Sequence, residues 1–305
     1  KKIMRFLITG ASGLIGKRLS KIIFERKDEL SILTTNRNKI NSSNNVKVFY
    51  WNPELNIIDE TCVKGVDVII NLAGSPIAQL WTKKAKKSIL QSRVKSIELL
   101  NKSISNDVNN KVKQFICASA IGLYKSNSYL KHNESSIEIS NSFLGETVSK
   151  WEKACDELNE TEIKVVKIRI GLVLSKKGGF LKSIVLLTKF FLGTWFGSGN
   201  NVYSWIHIKD VINSILFLVD NNKQGPYNLV APNPTTSKNF ILKIAKKLNS
   251  LIILPSIPVK LIKMLTGKMS ELLIFSQNVS CKKIIDEGFE FEFEDLDSAL
   301  ENLLK

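Results

Sequence analysis

Histidine is nearly absent from this chain. Among 305 residues there are two, His132 and His207, and the four cysteines, Cys62, Cys117, Cys155 and Cys281, show no CxxC or other metal-like spacing. No metal site is expected, and free thiols fit a reduced, cytoplasmic setting. Long apolar runs are missing too. Phe180–Phe196 and Leu251–Phe275 come nearest, but lysines interrupt both and prolines the second. Neither reaches the ~18 uninterrupted apolar residues of a spanning helix, so no integral membrane association is expected. The opening Lys1–Ile8 runs straight into a glycine turn instead of a cleavage site, and no secretory leader is expected.

Arginine is also scarce. Only Arg5, Arg18, Arg26, Arg37, Arg93 and Arg169 stand among 44 basic residues, leaving 38 lysines. The net charge of +16 would suit a nucleic-acid surface. Bidentate reading of guanine and phosphate depends on arginine, however, and these lysines are spread along the whole chain. A solvated basic surface follows, with no nucleic-acid partner.

What is present is an alternation of strand and helix signals. Short apolar runs at Ile3–Thr9, Leu30–Thr35, Val46–Trp51, Val66–Leu72, Gln114–Ser119 and Lys164–Ile170 read as buried parallel strands. Between them, Leu14–Arg26, Trp81–Ser103 and Phe143–Leu158 carry helical spacing. This order predicts an α/β fold, a Rossmann doubly wound parallel sheet with right-handed crossovers. Residues 1–175 would form the dinucleotide-binding domain, completed by about 205–231. Segments 176–204 and 232–305 would form a smaller, mostly helical substrate lobe. Gly178–Gly199 shows no strict period, Ser237–Leu248 reads as a helix capped by Ser237, and Gly288–Phe293 reads as extended.

The strongest motif is Thr9-Gly10-Ala11-Ser12-Gly13-Leu14-Ile15-Gly16, placed between a buried strand and an amphipathic helix. Gly10 permits a sharp turn, Gly13 clears space for a pyrophosphate, and Gly16 allows close helix–strand packing. The helix start then offers amides and a positive dipole to phosphate. Selectivity is read after the second strand, where an NAD site needs a carboxylate for the ribose 2′-hydroxyl. Here stand Thr34, Thr35, Asn36, Arg37, Asn38 and Lys39, with no carboxylate, so NADP(H) is expected and NAD(H) is the poorer fit. A second small-residue element, Leu72-Ala73-Gly74 after Asn71, would let backbone approach the adenosine ribose.

TGASGLIG (9–16), NLAG (71–74) and SAIGLY (119–124) resemble the extended short-chain dehydrogenases/reductases, the nucleotide-sugar epimerase/dehydratase group. Gln91-Ser92-Arg93, Ser149–Glu152, Arg169–Leu174 and Ser204–Asp210 resemble one atypical branch, named for NADP-dependent nucleoside-diphosphate-sugar epimerases. The likeness runs from residue 3 to the end, with about 250–305 similar to that branch's C-terminal domain of unknown function. It implies a cofactor contact for Arg93, and nicotinamide-pocket positions for Arg169 and Val173. Ordinary members use a Tyr-x-x-x-Lys pair for proton transfer. The matching helix, Phe143–Glu152, has no tyrosine. Anchored on Lys150, Glu146 takes the tyrosine position; anchored on Glu152, Leu144 and Val148 take the pair. Replacement acid/base groups are sought in Ser119 (or its neighbour Ala120 as the match to the family serine), Tyr124 and His207, while His132 is expected to be solvated. The resemblance thus implies an NADP(H)-dependent oxidoreductase or epimerase acting on a hydroxylated, sugar-nucleotide-like small molecule. The missing pair keeps a non-catalytic NADP(H)-binding or redox-sensing protein open, and some relatives are linked with cell division. Self-association is left open.

Overall fold

The computed structural model describes residues 3–40 and 46–305, with the side chains of Lys39, Asn159 and Glu160 outside that set. The phosphate contact expected of Lys39 therefore lies outside the described residues. The first half alternates β1 (Arg5–Thr9), α1 (Leu14–Glu25), β2 (Glu29–Thr34), β3 (Val46–Asn52), β4 (Ile57–Ile58), β5 (Val68–Asn71), α2 (Lys83–Asn106), β6 (Gln114–Ala120), β7 (Asn127–His132), α3 (Phe143–Asp156) and β8 (Lys164–Ile170). There follow β9 (Leu172–Leu174), α4 (Gly179–Lys189), β10 (Val202–Tyr203), β11 (Trp205–His207), α5 (Ile208–Asp220) and β12 (Gly225–Leu229). The last part comprises β13 (Thr235–Thr236), α6 (Ser237–Lys247), α7 (Val259–Thr266), α8 (Glu271–Ile274), β14 (Gln277–Val279), α9 (Lys282–Asp286) and α10 (Leu296–Leu304).

The main sheet runs β12-β8-β6-β5-β1-β2-β3-β4. Every neighbouring pair is parallel except the β3–β4 edge. Both faces are covered, which is why its strands are apolar at successive positions. Phe6, Ile8, Ile70 and Ile116 pack with Leu19, Ile23, Val211 and Ile215 from α1 and α5. Leu7, Ile69, Phe115 and Val165 point the other way, onto Ile97, Leu100, Trp151 and Cys155 from α2 and α3. Each such side chain contributes ~1.5–3 kcal/mol by leaving water. A third cluster, with Leu181, Ile184, Phe240, Ile244 and Leu300, joins α4, α6 and α10. The chain leaves β1 toward β2 on one side and later returns to β5 on the other. The carboxyl ends of β1 and β5 therefore flank a crevice, the place where such sheets bind ligands.

Three local readings change. Gly179–Lys189 is a regular helix; its period was blurred because Leu186 and Leu187 are apolar yet exposed. The cap of α6 is Thr236, whose side chain accepts from the Asn239 amide at 3.2 Å, while Ser237 sits inside the helix with its hydroxyl on Gly199 O. Residues 288–293 pair with no strand; Phe289, Phe291 and Phe293 are instead buried from an irregular segment.

Candidate functional site: a sheet crevice and an apolar cleft

The glycine turn sits at the end of β1. Gly10 has φ +67°, and a Cβ there would lie 2.6 Å from Leu72 O, so only glycine fits. At Gly16 a Cβ would come within 2.3 Å of Gly10 O. Thr9 ties the two loops together. Its hydroxyl donates to Asn71 Oδ1 at 2.6 Å and accepts from the amides of Leu72 and Ala73 at 3.1 and 3.0 Å. Gly13 is the N-cap of α1, no side chain caps that helix, and no acid stands in its first turn. The amides heading Leu14, Ile15 and Gly16 thus meet no competing side chain, as an anion site requires.

A cavity of about 700 Å³ opens beside this turn, lined by Gly10, Ala11, Ser12, Thr34, Thr35, Ala73 and Gly74 among others. Just past Thr35, and outside the residues that line the cavity, Asn36 caps a short turn over Arg37–Lys39 by accepting from the Asn38 amide at 3.0 Å. That turn sets the Arg37 guanidinium 4.3 Å over the Tyr50 ring, and the hydrogen bond from Arg37 lowers the Tyr50 hydroxyl. The carboxylate lining this cavity is the exposed Glu54, on the β3–β4 turn and not at the end of β2.

Arg93 lies between this cavity and a second one. It is buried, donates to Ile89 O at 2.8 Å and Ser75 O at 3.2 Å, and stacks 5.0 Å from the Trp151 ring. Among the described residues no carboxylate lies within ion-pair distance of it, and burial pushes it down to about 10. Its Cζ would stand 3.0 Å from a Cβ on Gly74, so a larger residue there would push on the guanidinium.

The second cavity, of about 200 Å³, is walled by Leu144, Thr147, Val148 and Trp151 from α3, by Ala120–Gly122 after β6, by Ile170–Leu172 after β8, and by Glu271, Leu272 and Phe275 from the C-terminal lobe. Leu144 and Val148 face this cleft, whereas Glu146 and Lys150 are exposed on the other side of α3. Leu144 and Val148, the pair given by anchoring on Glu152, are thus the two of these four residues that α3 turns to the cleft.

The expected replacement groups are not gathered there. Ser119 points away from the cleft and donates to Glu152 Oε1 at 2.5 Å, leaving Ala120 on the wall. Arg169 grips Glu152 with two bonds of 2.9 Å and donates to Tyr124 Oη at 2.9 Å. Tyr124 in turn donates to Asn228 Oδ1 at 2.7 Å, and burial lifts its hydroxyl above the usual range. Ser119, Tyr124 and Arg169 form one buried network with Glu152, and none of them is on the cleft wall. His207 is wholly buried. Its Nδ1 accepts from the Lys209 amide at 3.1 Å, it lies 3.9 Å from the Phe293 ring, and burial pushes it down to about 4. It caps α5 and is not on the cleft wall either. Val173 sits one residue beyond Leu172, in β9, beside the Gly178-Gly179 turn where α4 begins; Cβ atoms there would touch the Leu14 methyls at 3.6 Å. His132 is buried and stacked 5.1 Å from Tyr124, not solvated. Sequence reasoning missed Thr147, Trp151 and Glu271 as cleft groups. For the first two the signal was available, since they share a helical face with Leu144 and Val148.

Residues 6–230 match the NAD dependent epimerase/dehydratase family, and residues 256–303 a domain of unknown function, DUF1731. An epimerase family protein of Staphylococcus aureus is 33% identical over 99% of this chain and 99% of its own length, and one of Staphylococcus epidermidis is 32% identical with the same coverage. The crystal structure of human epimerase family protein SDR39U1 with NADPH superposes with a TM-score of 0.85 at 24% identity, covering 98% of this chain and 99% of that one. A nucleoside-diphosphate sugar epimerase from Corynebacterium glutamicum gives 0.79 at 26% identity, covering 99% of this chain and 58% of that one. More than two thirds of the sequence lies inside the family match, and the chain therefore belongs to the NAD dependent epimerase/dehydratase family and ends in that C-terminal domain of unknown function.

Proposed function

We propose that this protein binds NADP(H) across the sheet crevice and uses it in a reductase- or epimerase-type reaction on a hydroxylated or carbonyl small molecule. The observation that carries the cofactor reading is the end of β2, where Arg37 stands over Tyr50 and no carboxylate competes for the adenosine ribose. The uncapped start of α1 would take the pyrophosphate. Arg93, a buried cation lacking a carboxylate, would face the phosphate or ribose as the cofactor passes toward the cleft. Bound there, NADPH supplies the hydride. The chain's own part is to exclude water with an apolar wall and to place the acceptor against it. The human relative carries NADPH in its crystal structure, which supports this choice.

NADPH is expected to raise the unfolding temperature much more than NADH at equal concentration, because an extra phosphate adds binding free energy to the folded state alone. Equal shifts in a thermal scan would remove the case for Arg37. A second reading, that the chain holds NADP(H) without turnover, draws support from Leu144 and Val148 standing where a proton-transferring pair would be.

A further inference from the structure

Exposed apolar residues scattered singly need no explanation, but contiguous ones mark a surface that something covers. The end of α4 carries such a set. Leu181, Ile184 and Thr188 turn inward, while Leu186, Leu187 and the C-cap Phe190 are exposed, and Phe191 and Leu192 follow in the same state. The chain after α6 runs alongside. Ser250 Oγ donates to Thr188 O at 2.6 Å, Thr194 Oγ1 to Pro255 O at 2.8 Å, and the Ile257 amide to Trp195 O at 3.0 Å. Between the first two of these ties lie residues 190–192 on one segment and 251–254 on the other, where Leu251, Ile253 and Leu254 are exposed as well. A Cβ on Gly193 would stand 3.2 Å from Ile252 Cδ1, so the two segments are in contact there. Phe190 is 67% and Ile253 66% exposed. The chain then enters α7, where Ile262 is buried while Leu261, Met264 and Leu265, on one helical face, are exposed.

Charge on these segments is as one-sided as hydropathy. Residues 176–197 hold four lysines and residues 246–270 five, neither stretch has an Asp or Glu, and no arginine follows Arg169 in the chain. Lys247 pairs with Glu301, and Lys263 and Lys268 are attracted by the half-buried Glu271. Lys182, Lys189, Lys246 and Lys260 are exposed and form no ion pair among the described residues.

We propose that this face docks on an anionic lipid bilayer, with Phe190, Leu192 and Ile253 entering the headgroup boundary and Lys189 and Lys260 meeting lipid phosphates and carboxylates. Large apolar side chains rimmed by lysine are the means of interfacial attachment, and each lysine near such a surface multiplies partitioning about fivefold. No helix among the described residues is long and apolar enough to cross a bilayer, and the contact is peripheral. A second copy docked about a two-fold axis would set lysine against lysine, with no carboxylate to meet either. An acidic protein would match the charge. Positioned carboxylates, however, are best gripped by the planar fork of arginine, and these segments have none. Fluid headgroups meet flexible lysines wherever they stand. The docking is independent of the cofactor.

The test floats the whole chain with vesicles of phosphatidylcholine and phosphatidylserine in equal parts, beside vesicles of phosphatidylcholine alone. Wild type is expected to partition onto the anionic vesicles at least about tenfold better. A chain of charge +16 is drawn to any anionic surface, so the variants decide. Phe190→Ser combined with Ile253→Ser is expected to weaken partitioning about 100-fold, roughly tenfold for each apolar side chain lost from the boundary. Lys189→Gln combined with Lys260→Gln is expected to weaken it about 25-fold. Lys64 and Lys111 are exposed before the amino ends of β5 and β6. Changing both to Gln removes the same charge elsewhere and should weaken partitioning by less than about threefold. All these side chains are exposed, and each variant is expected to keep the unfolding temperature of wild type. Failure to float with anionic vesicles overturns the proposal. So does an equal loss from the Lys64 and Lys111 pair, or unchanged partitioning of the Phe190 and Ile253 pair. Light scattering that finds a dimer split by Phe190→Ser overturns it as well, because the face then belongs to a second copy.

Discussion

Replacing Arg93 by methionine tests whether this residue is there for the fold or for a ligand. Burial pushes its guanidinium down to about 10, well below the ordinary arginine range. At ~1.4 kcal/mol for each tenfold change in proton affinity, carrying the charge costs the folded state on the order of 3 kcal/mol. The folded value is the lower one, so this penalty is fully present at neutral pH and is relieved only as pH rises above about 10. Two hydrogen bonds to Ile89 O and Ser75 O return most of it, at ~1.5–3 kcal/mol for each charged donor. Methionine removes both terms and keeps an apolar stem beside Trp151. The free protein is therefore expected to lie within ~1 kcal/mol of wild type in urea unfolding, or to be more stable. Removing an arginine from a buried ion pair would instead cost ~3–5 kcal/mol. NADPH affinity by calorimetry should fall about 10–100-fold, the size of one charge-assisted hydrogen bond. A variant that loses ~3 kcal/mol or more of stability while its NADPH affinity holds would show that Arg93 serves the fold, and would refute the reasoning.

Gly13→Asp sets a carboxylate at the uncapped head of α1, with its Cβ 3.2 Å from Gly10 O. Thermal scans are expected to show a folded protein whose NADPH shift has vanished, whereas a preserved shift would move the cofactor elsewhere. His207, held at about 4, should weaken the fold as pH falls from ~6.5 toward 4, because protonation favours the unfolded chain. Asp210, pushed up to about 6 by burial, acts with the opposite sign in the same interval. The quantity to measure is therefore the difference between wild type and His207→Asn, which keeps a cap for α5. That difference should shrink by up to ~3 kcal/mol on acidification, and a constant difference across pH 4–7 would contradict the burial argument.

The parts of the molecule legible in the sequence are those governed by local rules. Gly10 and Gly16 sit where backbone clashes admit nothing larger, and the strand runs around Ile8, Ile70 and Ile116 reflect a sheet covered on both faces. The choice between two alignments of α3 was not legible. Both place a plausible pair four residues apart, and only packing against α2 decides that Leu144 and Val148 turn inward. Ser119, Tyr124 and Arg169 looked like cleft residues because strand ends usually are. Glu152, Asn228 and the Glu134 carbonyl come from distant segments, and they draw those groups into the interior. His207 was misjudged for a similar reason, since nothing local announces that its ring will cap a helix. Glu271 gave no signal at all. It stands on a four-residue helix far along the chain, and only the folded structure sets it among the cleft residues.

The turn at Gly178-Gly179 lies next to Leu14, the residue that opens α1: a Cβ on either glycine would meet a Leu14 methyl at 3.6 Å. That side chain therefore borders both α1 and the start of α4. Leu181 and Ile184 root α4 in the third cluster, so a substitution there that tilts the helix would press on the head of α1 without crossing the cleft. On the proposed cofactor reading, a core substitution such as Ile184→Ala is expected to change dinucleotide affinity without touching the dinucleotide.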